Sequence, residues 1–569
     1  MHRVRQSATE PMQQAVLLPD SVRLDFDPLR ELPEIFQTCG EPTATAGHVQ
    51  KTTQRTVVSL EHGRFQARQI VRQPTGNGQG GIQRSAQLAG VVPSGARYGF
   101  DLIAHVGVET YLRGRGLEDV RQELASRQPA LDIPTSSLWD QQQKFLFYLG
   151  RVHEQAGPHI RHYLAAHRPV TLLLDGTTEP ETPTFLGVED AGSRIVLGGW
   201  KVPSENLQDI AGCLKQIDRR YGRPDRILHD LSGMMSGACD QALPGVPHFV
   251  CHYHFGRDVG KDLYEKPQIT LTKRLRSLKL QFRLREQRRG QNEWLRASIG
   301  SSASLVLGEL LAGRPVQVPF SQTLGREVLL AFHFWILDYR NDGRRRGFPF
   351  DPYSLYLHRR LVRAGGAVDR LLSHAEVARQ APQVLFNFQK QLQAYRHDAE
   401  ISAATNLYER AFAMFARLRD ALRLSVEHLG NLRELRELSL SEQKEMRTAL
   451  EELRHELRQQ VEDENDIDQP LAQIVLVHLD KYWAHLVPDR PPASGEHWER
   501  TTNKMESDWG GLKRGRRRTH GRGKLTRDFQ ALPEEYILIP NLQNKAYVAL
   551  LFGGSLESLP SKLAAASRQ

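Results

Sequence analysis

Three acidic residues stand where the sequence gives a carboxylate something to do. Asp175 follows the apolar run Leu172-Leu173-Leu174 and precedes a Gly-Thr-Thr turn, so its side chain is expected at the end of a buried strand. A charge buried there is costly unless it has a partner. Asp230 closes a second strand-like segment, Arg226-Ile227-Leu228-His229-Asp230. Glu506 follows Thr502 and Asn503, either of which is a good N-cap, and so falls on the first turns of a helix. Carboxylate oxygens are hard donors of the kind magnesium takes, together with waters and substrate phosphate. Asn503 and Glu506 are also spaced as a capping box, which needs no chemistry at all.

The elements that must position these acids follow from the surrounding pattern. After the strand ending at Asp175 come two strand-like segments at hairpin spacing, Thr184 to Val188 and Ile195 to Trp200, joined by Glu189-Asp190-Ala191-Gly192. Ser204-Glu205-Asn206 reads as a helix start, with Leu207, Ile210, Leu214 and Ile217 at helical spacing up to Tyr221-Gly222. The Asp230 strand is fourth, a small-residue helix follows, and His248 to Cys251 reads as a fifth strand. This βββαβαβ order, with acids on the first and fourth strands, resembles the ribonuclease-H-like core of DDE-type transposases and integrases. The segment Thr501-Thr502-Asn503-Lys504-Met505-Glu506-Ser507, with a basic run behind it, is similar to the stretch around the last acid in Mutator-like and related bacterial insertion-sequence transposases. Glu496, Glu499 and Asp508 compete for that role but match the pattern less well.

The resemblance implies that Asp175, Asp230 and Glu506 are the catalytic acids and the ligands of two magnesium ions, with manganese able to substitute. Asp175 would bridge both ions, Asp230 would hold one and Glu506 the other. It implies cleavage of transposon ends, after which the released 3′-hydroxyl attacks target DNA in the same site. Cys251 and His254, in Cys-His-Tyr-His, match a Cys-x-x-His signature of the same transposases, which gives them a supporting role at the site edge. A pair that short is no full zinc site, and a lone thiol on a strand is more often a core residue.

Other stretches point to DNA less specifically. Arg113 to Arg127 and Thr135 to about Gly150 read as two short helices with a compact turn, similar to a helix-turn-helix, in which Ser137, Gln141, Gln142 and Lys144 would face the major groove. A plain helical hairpin fits the same pattern. Lys513, two helical turns beyond Glu506, would reach a phosphate near the metals. Arg514, Arg516, Arg517 and Arg518 continue the basic run, through His520 and Arg522 to Lys524. Such runs are generic phosphate binders and equally often solvated charge. Leu271 to Gly290 reads as a helix with a basic face, Asn406 to Arg458 as bundle helix rather than coiled coil, and Glu462 to Asp468 as an exposed acidic loop.

Composition bounds the rest. The chain of 569 residues, 40% hydrophobic and 25% charged, is ordinary globular material for several domains, and its net charge of +10 favours a polyanionic partner, although a basic balance alone would also suit a membrane surface. No apolar run approaches the roughly 20 residues of a membrane span, and MHRVRQSATEPMQQ is no secretory signal. The four cysteines are scattered, Thr38-Cys39-Gly40 lacks the partners of a zinc ribbon, and no Gly-rich phosphate loop implies ATP.

The expected architecture is α/β: a ribonuclease-H-like mixed sheet interrupted by an all-helical insertion, with an N-terminal helix-turn-helix. Its parts are residues 1–95 of uncertain role, a helix-turn-helix at 96–165, core at 166–255, insertion at 256–495, the rest of the core at 496–555 and a tail. The expected partner is double-stranded DNA, as transposon ends and target, met by a homodimer or larger assembly in the bacterial cytoplasm at the nucleoid. The competing reading is a catalytically silent, transposase-derived DNA-binding regulator.

Overall fold

A continuous apolar strand can sit only where both faces are covered. Thr171–Thr177, with its first five residues buried, occupies that place at the centre of a five-stranded mixed sheet. The computed structural model describes residues 22–31, 48–74, 81–127, 131–289, 301–316, 319–343, 347–424, 438–487, 499–521 and 523–568. Thr38 to Gly40, Glu496 and Arg522 lie outside them. The chain divides into two compact units, Met1–His248 with Thr502–Gln569, and Phe249–Thr501.

In the first unit, β1 (Arg23–Phe26), β2 (His48–Ser59) and β3 (Gly63–Gln73) form a small sheet ordered β1-β3-β2. β2 and β3 form a hairpin, with Gly63 at φ 67° closing the turn, a left-handed conformation that favours glycine. Helices α1 (Phe100–Gly107), α2 (Leu117–Arg127), α3 (Thr135–Gln155) and α4 (Gly157–Ala166) lead into the main sheet. Val120 and Leu124 of α2 are buried with Leu138 of α3, as their spacing predicts. α3 is a 21-residue helix that starts at Thr135 as read and runs to Gln155, past the expected end near Gly150, and Phe145, Leu146, Leu149 and Val152 bury it in the central core.

The main sheet contains β4 (Thr171–Thr177), β5 (Thr184–Asp190), β6 (Val196–Val202), β7 (Arg226–His229) and β8 (His248–Val250), in the order β6-β5-β4-β7-β8. β4, β5 and β6 are antiparallel neighbours, whereas β4 and β7 run parallel. The β6 to β7 crossover carries α5 (Leu207–Tyr221), capped by Asn206, and α6 (Gly233–Ala242) joins β7 to β8. An exposed edge strand invites pairing with another chain. On β6 the Asn541 amide bonds both backbone groups of Val196 at 2.8 Å, and Glu534 accepts from Lys201 N at 2.8 Å. α7 (Asn503–His520) then returns to the sheet, and α8 (Lys545–Phe552) and α9 (Leu559–Ala566) complete the core.

Among its described residues, the second unit is built almost wholly of helices. The basic stretch expected as one helix over Leu271 to Gly290 is broken, because His252–Ser277 ends at Leu278 and a new helix starts at Leu280, with Lys279 at φ 52° between them. Ala399–Ala421 and Leu440–Glu462 pack as bundle helices, and Ser439 and Glu442 form a capping box at the start of the second. Glu462 to Asp468 is a turn region whose side chains are mostly exposed.

Candidate active site

Asp175 takes its position from the pairing of β4 with β7. Leu174 is paired with His229, the last pair of the β4–β7 ladder, so Asp175 on β4 and Asp230 beyond the end of β7 follow two neighbouring parallel strands, whose spacing is about 4.8 Å. Asp175 is only 5% exposed, whereas Asp230, just past the end of β7, is half-buried and accepts a 2.7 Å bond at Oδ1 from Ser232 N. The sequence folds this way because each acid follows an apolar strand that must be covered, and a parallel register lines up the two strand ends.

Glu506 is half-buried on the first turn of α7. Met505 and Trp509 flank it in sequence and press onto Gly187 of β5, the register partner of Asp175. A Cβ on Gly187 would meet Ile537 Cδ1 at 2.6 Å, Met505 Cε at 3.0 Å and Trp509 Cζ2 at 3.1 Å. The missing side chain is therefore what lets α7 lie close to the sheet beside Asp175. No capping box involving Asn503 starts this helix: Asn503 is already its first residue, with Thr502 as N-cap. Asp508 pairs with Lys504 at 2.8 Å one turn further on.

The fourth acid of the region, Glu205, was missed by sequence reasoning. A Cβ built on Gly176 would lie 2.8 Å from Glu205 Oε1. Burial, together with the charge of Asp230, pushes the Glu205 carboxyl above the usual range. In sequence it looks like an ordinary acid at a helix start, and only the crossover brings it back to the strand end. Glu189, two residues beyond Gly187, was also read as mere turn sequence. It is 2% exposed with Arg194 Nη1 3.6 Å from its Oε1, and burial pushes its carboxyl up to about 7 against the pull of Arg194.

The other expected residues divide sharply. Gln141 and Gln142 are 1% and 3% exposed, and Gln141 Nε2 donates to Ser137 O at 3.0 Å, which corrects their reading as groove-facing contacts. The helical period that shows Ser137 and Lys144 partly to solvent turns these two amides inward. Lys513 also departs from expectation. Its Nζ donates to Thr178 O at 2.7 Å and lies 3.2 Å from Glu179 Oε1, so it ties α7 to the end of β4.

Arg517 shares Glu179 at 3.1 Å, and Arg516 lies over the Tyr536 ring at 5.4 Å. Arg514 and Arg518 are exposed. Cys251 and His254 belong to the second unit, where Cys251 is a fully buried N-cap of the helix His252–Ser277 and His254 is half-buried. No protein-family model matches the chain, and no curated protein matches it. Among the described residues, no helix is long and apolar enough to cross a membrane.

Proposed function

We propose that the chain is a DDE-type transposase with a ribonuclease-H-like core, acting on DNA with divalent magnesium. The observation that carries this reading is the register of Asp175 and Asp230 at adjacent strand ends, in a sheet ordered β6-β5-β4-β7-β8 with the Glu506 helix packed against the same region. The 253-residue helical unit Phe249–Thr501, lying in sequence between the second and third acids, supports it as an insertion.

The donor set fits magnesium, because Asp175, Asp230 and Glu506 offer only hard oxygen atoms. Glu205, held above its usual range first by burial and then by the Asp230 charge, adds a further carboxyl oxygen donor near the same strand end. Bound there, the metal would supply activation of water and charge neutralisation at the phosphate and leaving oxygen. The chain itself supplies position. The β4–β7 register makes the ends of the two strands that lead into Asp175 and Asp230 neighbours, Gly187 admits α7, and Lys513 and Arg517 hold the far end of α7 against Glu179. Ser137, Lys144, Arg514 and Arg518 remain the proposed DNA contacts, since each keeps some exposure.

The test is cleavage and strand transfer on labelled DNA ends taken from the sequence flanking the gene, with magnesium or manganese. Wild type is expected to cut and join, and Asp175→Ala, Asp230→Ala and Glu506→Ala to bind the ends but do neither. If all four proteins bind alike and none cuts, the silent regulator replaces this reading.

A further inference from the structure

Behind Asp230 lies a group of side chains that the proposed chemistry does not use. His229 ends β7, Cys239 lies on α6, and His248 opens β8. They are 0%, 1% and 6% exposed, and one ligand atom from each falls within 4.8 Å of the others. We infer that His229, Cys239 and His248 bind a thiophilic d10 cation, zinc(II) first among them.

The hydrogen bonds fix the argument. His229 Nδ1 lies 2.6 Å from the carbonyl oxygen of Asp230, and His248 Nε2 lies 3.1 Å from Asp240 Oδ1. A carbonyl and a carboxylate only accept, so these two nitrogens carry the ring protons and donate. In neutral rings the remaining nitrogens, His229 Nε2 and His248 Nδ1, then present lone pairs to each other across 2.9 Å. Two lone pairs at that separation repel unless a cation stands between them. A proton could do this, but the sulfur of Cys239 beside the pair adds a third donor that suits a metal and gives little to a proton.

The outer contacts point the same way. Metal-binding histidines typically donate their second N–H to a carbonyl or carboxylate, which orients the ring and strengthens the donor. Both rings have that arrangement here. Opening the nitrogen pair from 2.9 Å to about 3.3 Å, the edge of a tetrahedron with metal–nitrogen bonds of about 2.0 Å, needs only a small rotation of each ring. Thiolate and imidazole donors favour zinc or copper(I) over magnesium, so this centre would be chemically separate from the carboxylates. Bound zinc would lock the strand–helix–strand passage carrying Asp230, whose carbonyl holds the His229 ring. That makes the three ligands positioning residues for Asp230, and the inference stands whether or not the acids cut DNA.

The other metal-like group among the described residues, His105, Glu109 and Glu123, does not compete. The guanidinium of Arg115 already lies between its two carboxylates, 3.0 Å from Glu109 and in contact with Glu123.

The experiment is metal analysis of the full chain purified without chelator, followed by exchange into cobalt(II). The expected result is one tightly held zinc per chain, a thiolate-to-cobalt charge-transfer band in the near ultraviolet, and loss of both in Cys239→Ser and His248→Ala. Asp175→Asn and Glu506→Gln should keep both. A wild-type chain that takes up neither zinc nor cobalt from excess metal overturns the inference in favour of a shared proton. So does bound cobalt without the thiolate band, or zinc retained by both ligand variants. If a ligand variant fails to fold, the wild-type cobalt spectrum decides by itself.

Discussion

Lys513 Nζ donates a 2.7 Å hydrogen bond to the carbonyl oxygen of Thr178, three residues beyond Asp175. The same ammonium stands 3.2 Å from Glu179 and lies over the Phe529 ring at 5.1 Å. A basic residue two turns past the third acid is thus engaged by the protein, and its charge fastens the helix of Glu506 to the strand of Asp175.

Lys513→Met should therefore act through position. Expected are a loss of roughly 1–2 kcal/mol of stability and a fall in strand cleavage, with DNA affinity and its salt dependence unchanged. A flatter salt dependence of binding, by about one unit of log–log slope, would instead mark Lys513 as a phosphate contact.

Gly187→Ala tests the approach of α7. The new methyl would collide with Ile537, Met505 and Trp509, and overpacking of this kind costs about 1–3 kcal/mol. Denaturant melts should show that loss, and cleavage should fall with it because α7 carries Glu506. Gly212→Ala, inside α5 with open space at that position, is the control: it should leave cleavage unchanged and, by helix propensity, raise stability by about 0.5–1 kcal/mol rather than lower it.

Two buried groups give opposing pH dependences of stability. His153 is held at about 4 by burial, its Nε2 donating to Leu197 O at 3.1 Å, whereas an unfolded histidine titrates near 6.5. Between those values the unfolded chain binds more protons, so this contribution is complete above about pH 6.5 and is lost as pH falls toward 4. Over the whole window it amounts to something on the order of 3 kcal/mol. His153→Leu should remove this slope from urea melts taken across the range.

Glu189 has the opposite sign. Burial raises its carboxyl from 4.5 to about 7, so the folded chain binds the extra proton, and stability is lost as pH rises from 4.5 through 7. Glu189→Gln should be more stable than wild type at pH 8 and little different at pH 4. The variant should also unmask the rising slope of His153 between pH 4.5 and 6.5. A Glu189→Gln chain no more stable than wild type at pH 8 would show that Glu189 is ionised at no cost, through its neighbour Arg194.

Local pattern by itself determined a good part of this protein. The apolar runs before Asp175 and Asp230, the hairpin of β5 and β6, and the amphipathic period of α5 all report burial of one face, which neighbouring residues decide among themselves. The 3.6-residue period placed α2, with Val120 and Leu124 inside, whereas on α3 it did not separate buried Phe145 and Leu149 from exposed Trp139 and Phe147. What α3 does along its whole length was decided by the core it crosses, which draws in Gln141 and Gln142 with the apolar side chains.

The tertiary structure alone decided which distant groups meet. Register put Asp230 beside Asp175 across 55 residues of chain, and the crossover returned Glu205 to the same strand end. Packing without a side chain at Gly187 seated α7, and Lys513 turned from solvent to Thr178. His229, Cys239 and His248 have no spacing that sequence reading could single out, because their convergence depends on a strand, a helix and a second strand closing on one point. Sequence fixes burial through short-range periodicity, whereas the partners of a buried polar group are set by strand register and helix packing, which are properties of the whole fold.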